Sequence, residues 1–351
     1  MPGAMLITNR RSVALSNVVS PDETMEWRDR EGVPPGWLPA DVGAATVRWI
    51  RVNSQTPTDP FFDKWVAALR GRIPPPREHE TDLASLAHLA AGLPEVEPAG
   101  IIFHVSRCGS TLLANALAAG ENVFAIGEAP VFEKMMRLTA RREPYSASAG
   151  AEALRALCRV FGHYRGPSGE RLILKTGMGT VVTLRAIRSV WPSVPCVMLI
   201  RDPVEVVVSN FQTPPRALLE WYDAPAGCIA APVPEEALGR GLEEFSAWLV
   251  GRICDAALVQ MDDRCLLLDY RDLTPEAVLR VAEFFRLRLT DGEREALRKS
   301  FRFDAKRGGE FNADADKKKN AATAAMTEAV ARWASAPYEA LLHSHLRLRA
   351  G

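Results

Sequence analysis

Between residues 100 and 270 the chain repeats one short pattern: an apolar run of strand length, a polar residue at its end, then a stretch of helical period. The runs are Ile101–Val105, Asn122–Ile126, Arg171–Lys175, Val197–Ile200 and Cys265–Asp269. Short, continuous apolar runs rich in Val, Ile and Leu suit strands buried on both faces. The helical stretches between them, over 110–117, 131–142, 151–163, 180–190 and about 236–260, supply the crossovers that parallel strands need. The expected fold is α/β, a central parallel sheet flanked by helices. Parallel strands all point the same way, so the polar residues that end them, Arg107, Glu128, Lys175 and Arg201, collect along one edge. Open α/β sheets bind their ligands at that edge.

The first unit is the most specific. Ser106-Arg107-Cys108-Gly109-Ser110-Thr111 joins the first strand to a helix carrying Leu112, Leu113, Ala116 and Leu117. A strand, a turn of small residues and a helix start aim backbone N–H groups and a positive helix end at one point, which suits phosphate or sulfate. Gly109 permits close approach, Ser110 and Thr111 add hydroxyls, and Arg107 adds a charged fork. Neither the Walker A pattern nor the Rossmann glycine pattern is present, which points away from ordinary ATP and GTP users. Cys108 reads as a small buried filler. Leu266–Asp269 nevertheless resembles a Walker B strand, so a P-loop kinase or nucleotide hydrolase with Asp269 on Mg²⁺ stands as the alternative.

The whole chain narrows the reading. With 351 residues it makes about two domains, or one large α/β unit with additions. Lys and Arg number 43, as do Asp and Glu, so a general nucleic-acid binder is not expected and any anion site must be a local concentration of cations. No apolar run reaches 18 residues and the N-terminal stretch has no signal-like core, so neither a membrane span nor secretion is expected. Six scattered cysteines without a C-x-x-C pair read as reduced thiols of a cytoplasmic protein. No metal-ligand cluster is visible, and no metal is expected.

Residues 1–97 read as an N-terminal extension packed on the core, and 98–351 as the α/β domain. The extension carries Trp27, Trp37, Trp49 and Trp65. Val47–Val52 alternates like a half-buried strand, Pro60–Val66 starts a helix, Pro74–Pro76 breaks the chain, and Thr81-Asp82 caps a helix bearing Leu83, Leu86 and Leu89. Its aromatics pack against the main domain or, alternatively, line a ligand pocket. Residues 213–235, rich in Pro, Gly and Ala, read as a loop or lid. Residues 301–320 are basic and irregular, a solvated loop or a flap whose Lys306, Arg307 or Lys317 reaches a second phosphate.

Ser106–Leu112 resembles the 5′-phosphosulfate loop of the sulfotransferases that use 3′-phosphoadenosine-5′-phosphosulfate (PAPS), within the P-loop nucleotide-hydrolase-like fold. Leu199–Pro203 with Ser209 resembles their 3′-phosphate motif, an Arg followed eight residues later by a Ser. Leu266–Leu273 is similar to the segment that comes next in those enzymes, and the resemblance spans roughly residues 98–320. It implies that Arg107, Cys108, Gly109, Ser110 and Thr111 hold the phosphosulfate, and that Arg201 and Ser209 hold the 3′-phosphate. Lys306-Arg307-Gly308 loosely matches the family's late Arg-Lys-Gly loop. No histidine occupies the place of the base many members use. Glu128 and Lys175 match the glutamate and lysine of the tyrosylprotein and bacterial glycolipid enzymes. The implied reaction passes a sulfuryl group in line from PAPS to an acceptor hydroxyl, leaving 3′,5′-ADP, without a metal. A general base such as Glu128 contributes about 10²–10⁴-fold in rate. A donor such as Lys175, aimed at the developing charge, is worth about 2.7–4 kcal/mol by analogy with oxyanion holes. In the competing reading Glu128 is a structural partner of Arg107. The acceptor, a small molecule, is not legible in the sequence.

Overall fold

The computed structural model describes residues 27, 31–53, 55, 57, 59–120, 123–141, 144–164, 171–229, 232–301, 318, 320–344 and 348. Three strands, β1 (Trp37–Val42), β2 (Thr46–Arg51) and β3 (Glu78–Asp82), form an antiparallel sheet. Five more, β4 (Gly100–His104), β5 (Val123–Gly127), β6 (Arg171–Lys175), β7 (Cys196–Ile200) and β8 (Cys265–Asp269), form a parallel sheet in the order β5-β6-β4-β7-β8. All five match the apolar runs to within a residue or two. Every residue of β4 and β7 is buried, which accounts for their unbroken apolar character.

The strand order positions the site. The chain leaves β4 for β5 at one edge, returns to β6, and crosses β4 to reach β7 and β8. Right-handed crossovers then place the Ser110–Leu117 helix on one face and the helices after β5, β6 and β7 on the other. The contacts agree: Ser110–Leu117 packs with Pro275–Phe284 and Asp291–Ser300, whereas Pro130–Thr139, Pro144–His163 and Leu184–Val190 pack together. Where the direction reverses, beside β4, the strand ends open a crevice. Register sets Lys175 level with both Gly127 and Ile102, so the ends of β4, β5 and β6 lie side by side.

The antiparallel sheet packs through β1 on the Pro130–Thr139 helix. There Lys134 Nζ donates to the Asp41 carboxylate at 2.8 Å and to the Val42 carbonyl at 2.7 Å. Trp27 packs its ring on Trp37 and Trp49, with centroids 5.5 and 5.1 Å away. β2 lies where the alternation placed it, and the helix expected from Pro60 runs Phe62–Arg70. Thr81-Asp82 ends β3 and leads, as expected, straight into a helical run, the 3₁₀ turn Leu83–Ser85 and the helix Leu86–Ala90; the correction is that no side-chain cap forms at Asp82. β3 has no apolar side chain to announce it; it forms because β2 offers a free ladder, and Trp49 Nε1 donates to Thr81 Oγ1 at 2.9 Å.

Residues 213–235 also need correcting. They contain the helix Arg216–Asp223, entered from Pro215, which buries Leu218 and Trp221. The helix expected over 236–260 is two, Glu235–Gly239 and Leu242–Gln260, parted at Gly241, whose φ of 100° interrupts the helix. Ala324–Trp333 and Ser335–Leu342 close over Leu242–Gln260. Lys306, Arg307 and Lys317 lie outside the described residues.

Candidate active site

The turn after β4 is held in an unusual backbone. Ser106, Arg107 and Gly109 all have positive φ, at 84°, 54° and 83°. Left-handed Ser and Arg each cost of order 1–3 kcal/mol and persist where the surroundings over-determine them. Right- and left-handed residues in succession can turn backbone N–H groups toward one side, the form of an anion nest, though the Ser106 N–H is already taken by His104. The helix that follows begins on Gly109, so no side chain caps its first turn. A Cβ on Gly109 would lie 2.5 Å from Leu273 Cδ2 and 3.1 Å from the Tyr270 ring, so glycine is demanded by packing as well as by φ. Cys108, Ser110 and Thr111 are buried, Cys108 completely.

The turn is braced from β7. Arg107 Nε donates to Ser209 Oγ at 2.9 Å, and Arg201 Nη1 donates to the Arg107 carbonyl at 3.1 Å. Arg201 also donates through Nε to Glu205 at 2.7 Å and lays its guanidinium 4.1 Å from the Tyr270 ring centre. Ser106 Oγ donates to Asn210 Oδ1 at 3.3 Å, and Asn210 donates to Ser246. The two sequence-predicted groups, Arg107 to Thr111 and Arg201 with Ser209, therefore form one connected cluster.

Glu128 follows β5 directly and Lys175 ends β6. They are ion-paired through Glu128 Oε1 and Lys175 Nζ, and the Glu128 N–H donates to the Lys175 carbonyl at 2.7 Å. Glu128 itself has a φ of 49°. The sequence-based alternative, a Glu128–Arg107 pair, is not the arrangement found among these contacts. Burial opposes the Glu128 charge, but the Lys175 ammonium and then His104 outweigh it and hold the carboxyl well below the usual range.

His104 is the residue that sequence reasoning missed. The Ser106 N–H donates to its Nδ1 at 3.1 Å, so Nε2 carries the hydrogen and donates to the Thr176 carbonyl at 2.8 Å. Nε2 also stands 3.5 Å from Glu128 Oε1. Burial, then the Lys175 charge, push its pKa down, so the ring is neutral. His104 thus links the phosphate-type turn to the Glu128–Lys175 pair.

The N-terminal unit reaches the same place. The Pro60 carbonyl packs directly against Gly127, and the Phe61 ring centre is 5.2 Å from Lys175 Nζ. Asp63 on the following helix faces Arg216 of the Arg216–Asp223 helix at 3.8 Å. Trp37, Trp49 and Trp65 are buried in the core, the packing alternative of the two that the sequence left open, while Phe61 stands beside Lys175.

Asp269 does not fit the Mg²⁺ role. It is fully buried, and its oxygens accept from the Arg271 N–H at 2.8 Å, from Arg271 Nε and Nη2 at 3.1 and 3.0 Å, and from the Tyr338 hydroxyl at 2.9 Å. A carboxylate so committed has no oxygen left for a cation.

No protein-family model matches this chain, and no curated protein does. Solved structures do. It is 16% identical to a sulfotransferase domain from the curacin biosynthetic pathway, with a TM-score of 0.41 over 62% of this chain and 82% of that one. It is 15% identical to a sulfotransferase from Mycobacterium avium, with a TM-score of 0.39 over 66% and 76% of the two chains. A sulfotransferase from Alicyclobacillus acidocaldarius is 15% identical, with a TM-score of 0.34 over 72% and 98%.

Proposed function

We propose that this chain is a PAPS-dependent sulfotransferase acting on a hydroxyl, or as second choice an amine, of a small-molecule acceptor in the cytoplasm. One observation carries the reading. Arg107 bonds Ser209 while its neighbour Ser106 bonds His104, which touches Glu128. The residues suited to the two anionic ends of the nucleotide and the acid–base pair are thus one continuous polar chain.

In this reading Arg107, the turn amides, Ser110 and Thr111 hold the 5′-phosphosulfate. Arg201 and Ser209 serve the 3′-phosphate end, with Lys306, Arg307 and Lys317 proposed for its flap. Arg and Lys charges and aligned amides supply what a metal would otherwise supply at a phosphoryl or sulfuryl centre. As the acceptor oxygen attacks, Glu128 takes its proton. A bound sulfuryl anion competes with Glu128 for the Lys175 ammonium, and a carboxylate that loses that partner becomes a better base. Neutral His104 keeps Glu128 turned toward the turn. Phe61 shields the pair from water on the acceptor side.

Thermal shift tests the donor: stabilisation by 3′,5′-ADP without magnesium is expected. Labelled sulfate should then pass from PAPS into a pooled metabolite extract, and Lys175→Ala should abolish the transfer. Stabilisation by Mg-ATP alone, with none by 3′,5′-ADP, overturns the proposal.

A further inference from the structure

The Pro130–Thr139 helix brings a second carboxylate to this edge of the sheet. Glu133 sits in its first turn, with a side chain 18% exposed. It faces the backbone that follows β6 at Gly177. A Cβ on Gly177 would stand 2.7 Å from Glu133 Oε1 and 2.9 Å from Oε2, so only glycine leaves the carboxylate its place. Gly177 lies two residues past Lys175 and Glu133 five past Glu128, so both carboxylates are set by the ends of β5 and β6.

The charges around Glu133 come from three elements. Arg137 on its own helix places Nη2 at 3.5 Å, and Lys175 acts from the end of β6. Against them stands Glu128, from the end of β5. Lys134, the adjacent cation, is turned away to Asp41 and Val42 on β1. Burial and then the Glu128 charge push the Glu133 carboxyl up to about 7, against Arg137, Gly177 and Lys175. Glu128 moves in the opposite direction. Two carboxyls of one site with proton affinities pushed apart form the pattern from which acid–base roles are assigned.

We propose that Glu133 is a positioning residue for sulfuryl transfer, its carboxyl setting the charge beside the Glu128–Lys175 pair through its seat on Gly177. The inference rests on the reading of Glu128 as the proton acceptor. With Glu133 protonated, the pair is neutral overall and Lys175 belongs to Glu128. With Glu133 ionised, its charge adds to that of Glu128, and Glu128 binds a proton more strongly. The acceptor O–H proton then goes to Glu128 as the new S–O bond forms. The old S–O bond breaks with its electron pair left on the 5′-phosphate.

The test is a carboxyl ¹³C NMR titration of the full chain with labelled glutamate, paired with the pH profile of sulfate transfer from labelled PAPS to a metabolite extract. One carboxyl should titrate near pH 7. That signal should vanish in Glu133→Gln, move toward acid in Glu128→Gln, and shift in Gly177→Ala, which displaces the carboxylate without altering its chemistry. Turnover should rise through the same inflection in the parent chain and lose it in Glu133→Gln, with the KM for PAPS changing less than kcat. A Glu133 carboxyl that titrates in the ordinary glutamate range, or an inflection that survives Glu133→Gln, overturns the proposal. If 3′,5′-ADP fails to bind while the titration behaves as expected, the functional reading falls and the coupling of the two carboxyls stands.

Discussion

Lys175 and Glu128 are joined twice across adjacent parallel strands, by an ion pair between side chains and by the Glu128 N–H to the Lys175 carbonyl at 2.7 Å. The pair is lopsided: the Lys175 side chain is 1% exposed and that of Glu128 28%. The ammonium is thus embedded and the carboxylate is partly open to solvent. Removing one partner of a buried pair leaves an uncompensated charge and costs about 3–5 kcal/mol, whereas replacing both is often nearly neutral.

Glu128→Gln should therefore destabilise the chain more than Lys175→Met, because the ammonium left behind is the more deeply buried charge. The double variant should recover most of the loss. Urea unfolding of the four proteins measures this, and additive losses would contradict a coupled pair.

The two glutamates predict opposite pH dependences. Glu128 has a depressed pKa in the folded chain, so its contribution is present above the ordinary value of 4.5 and is lost as pH falls toward the folded value. Glu133 has a raised one, so its contribution is complete below 4.5 and is lost as pH rises to about 7. Glu133→Gln should thus gain in melting temperature relative to the parent chain between pH 5 and pH 8. Glu128→Gln should approach the parent chain only in strong acid.

Arg107 and Ser209 are the test of the proposed nucleotide site. A hydrogen bond to a charged group is worth about 1.5–3 kcal/mol. Arg107→Ala should weaken 3′,5′-ADP binding by roughly ten- to a hundredfold, since about 1.4 kcal/mol is a factor of ten. Ser209→Ala should weaken it less, because it removes one hydroxyl and leaves the Arg107 charge in place. Calorimetry with 3′,5′-ADP reads both, and equal affinities in all three proteins would exclude the site.

The parallel sheet was legible because each strand is built on a short apolar run, wholly buried in β4 and β7 and mostly so in the others, and a polar residue at or just past its end marks the sheet edge. β3 was not, because Glu78-His79-Glu80-Thr81-Asp82 carries no apolar residue and owes its conformation to pairing with β2. β1 was hidden for another reason: Trp37–Val42 is almost wholly buried, so it lacks alternation, and it contains Pro39. Arg107, Glu128, Lys175 and Arg201 could be placed from strand ends alone. His104 could not, since its role depends on the left-handed turn that carries the Ser106 N–H back to Nδ1. Phe61 meets Lys175 only through the docking of the N-terminal unit. Glu133 looks like any acidic residue in a first helical turn, and its distinction is the glycine opposite it.

Asp269 separates the proposed activity from its nearest rival. The residue ends β8, where a nucleotide hydrolase would place a cation-binding carboxylate, yet its oxygens are taken by Arg271 and Tyr338. Burial and the Asp269 charge push the Tyr338 hydroxyl up, so it stays protonated and donating at any ordinary pH. Asp269 is therefore a fastener between β8 and the C-terminal helix Ser335–Leu342. Asp269→Asn should weaken both Arg271 bonds, and Tyr338→Phe should remove one donor, each at about 1–3 kcal/mol of stability. Nucleotide affinity should respond little to either variant, and equally little to magnesium or EDTA. If magnesium tightened ATP binding in the parent chain and Asp269→Asn abolished that effect, Asp269 would be a cation ligand and the kinase or hydrolase reading would replace the one proposed.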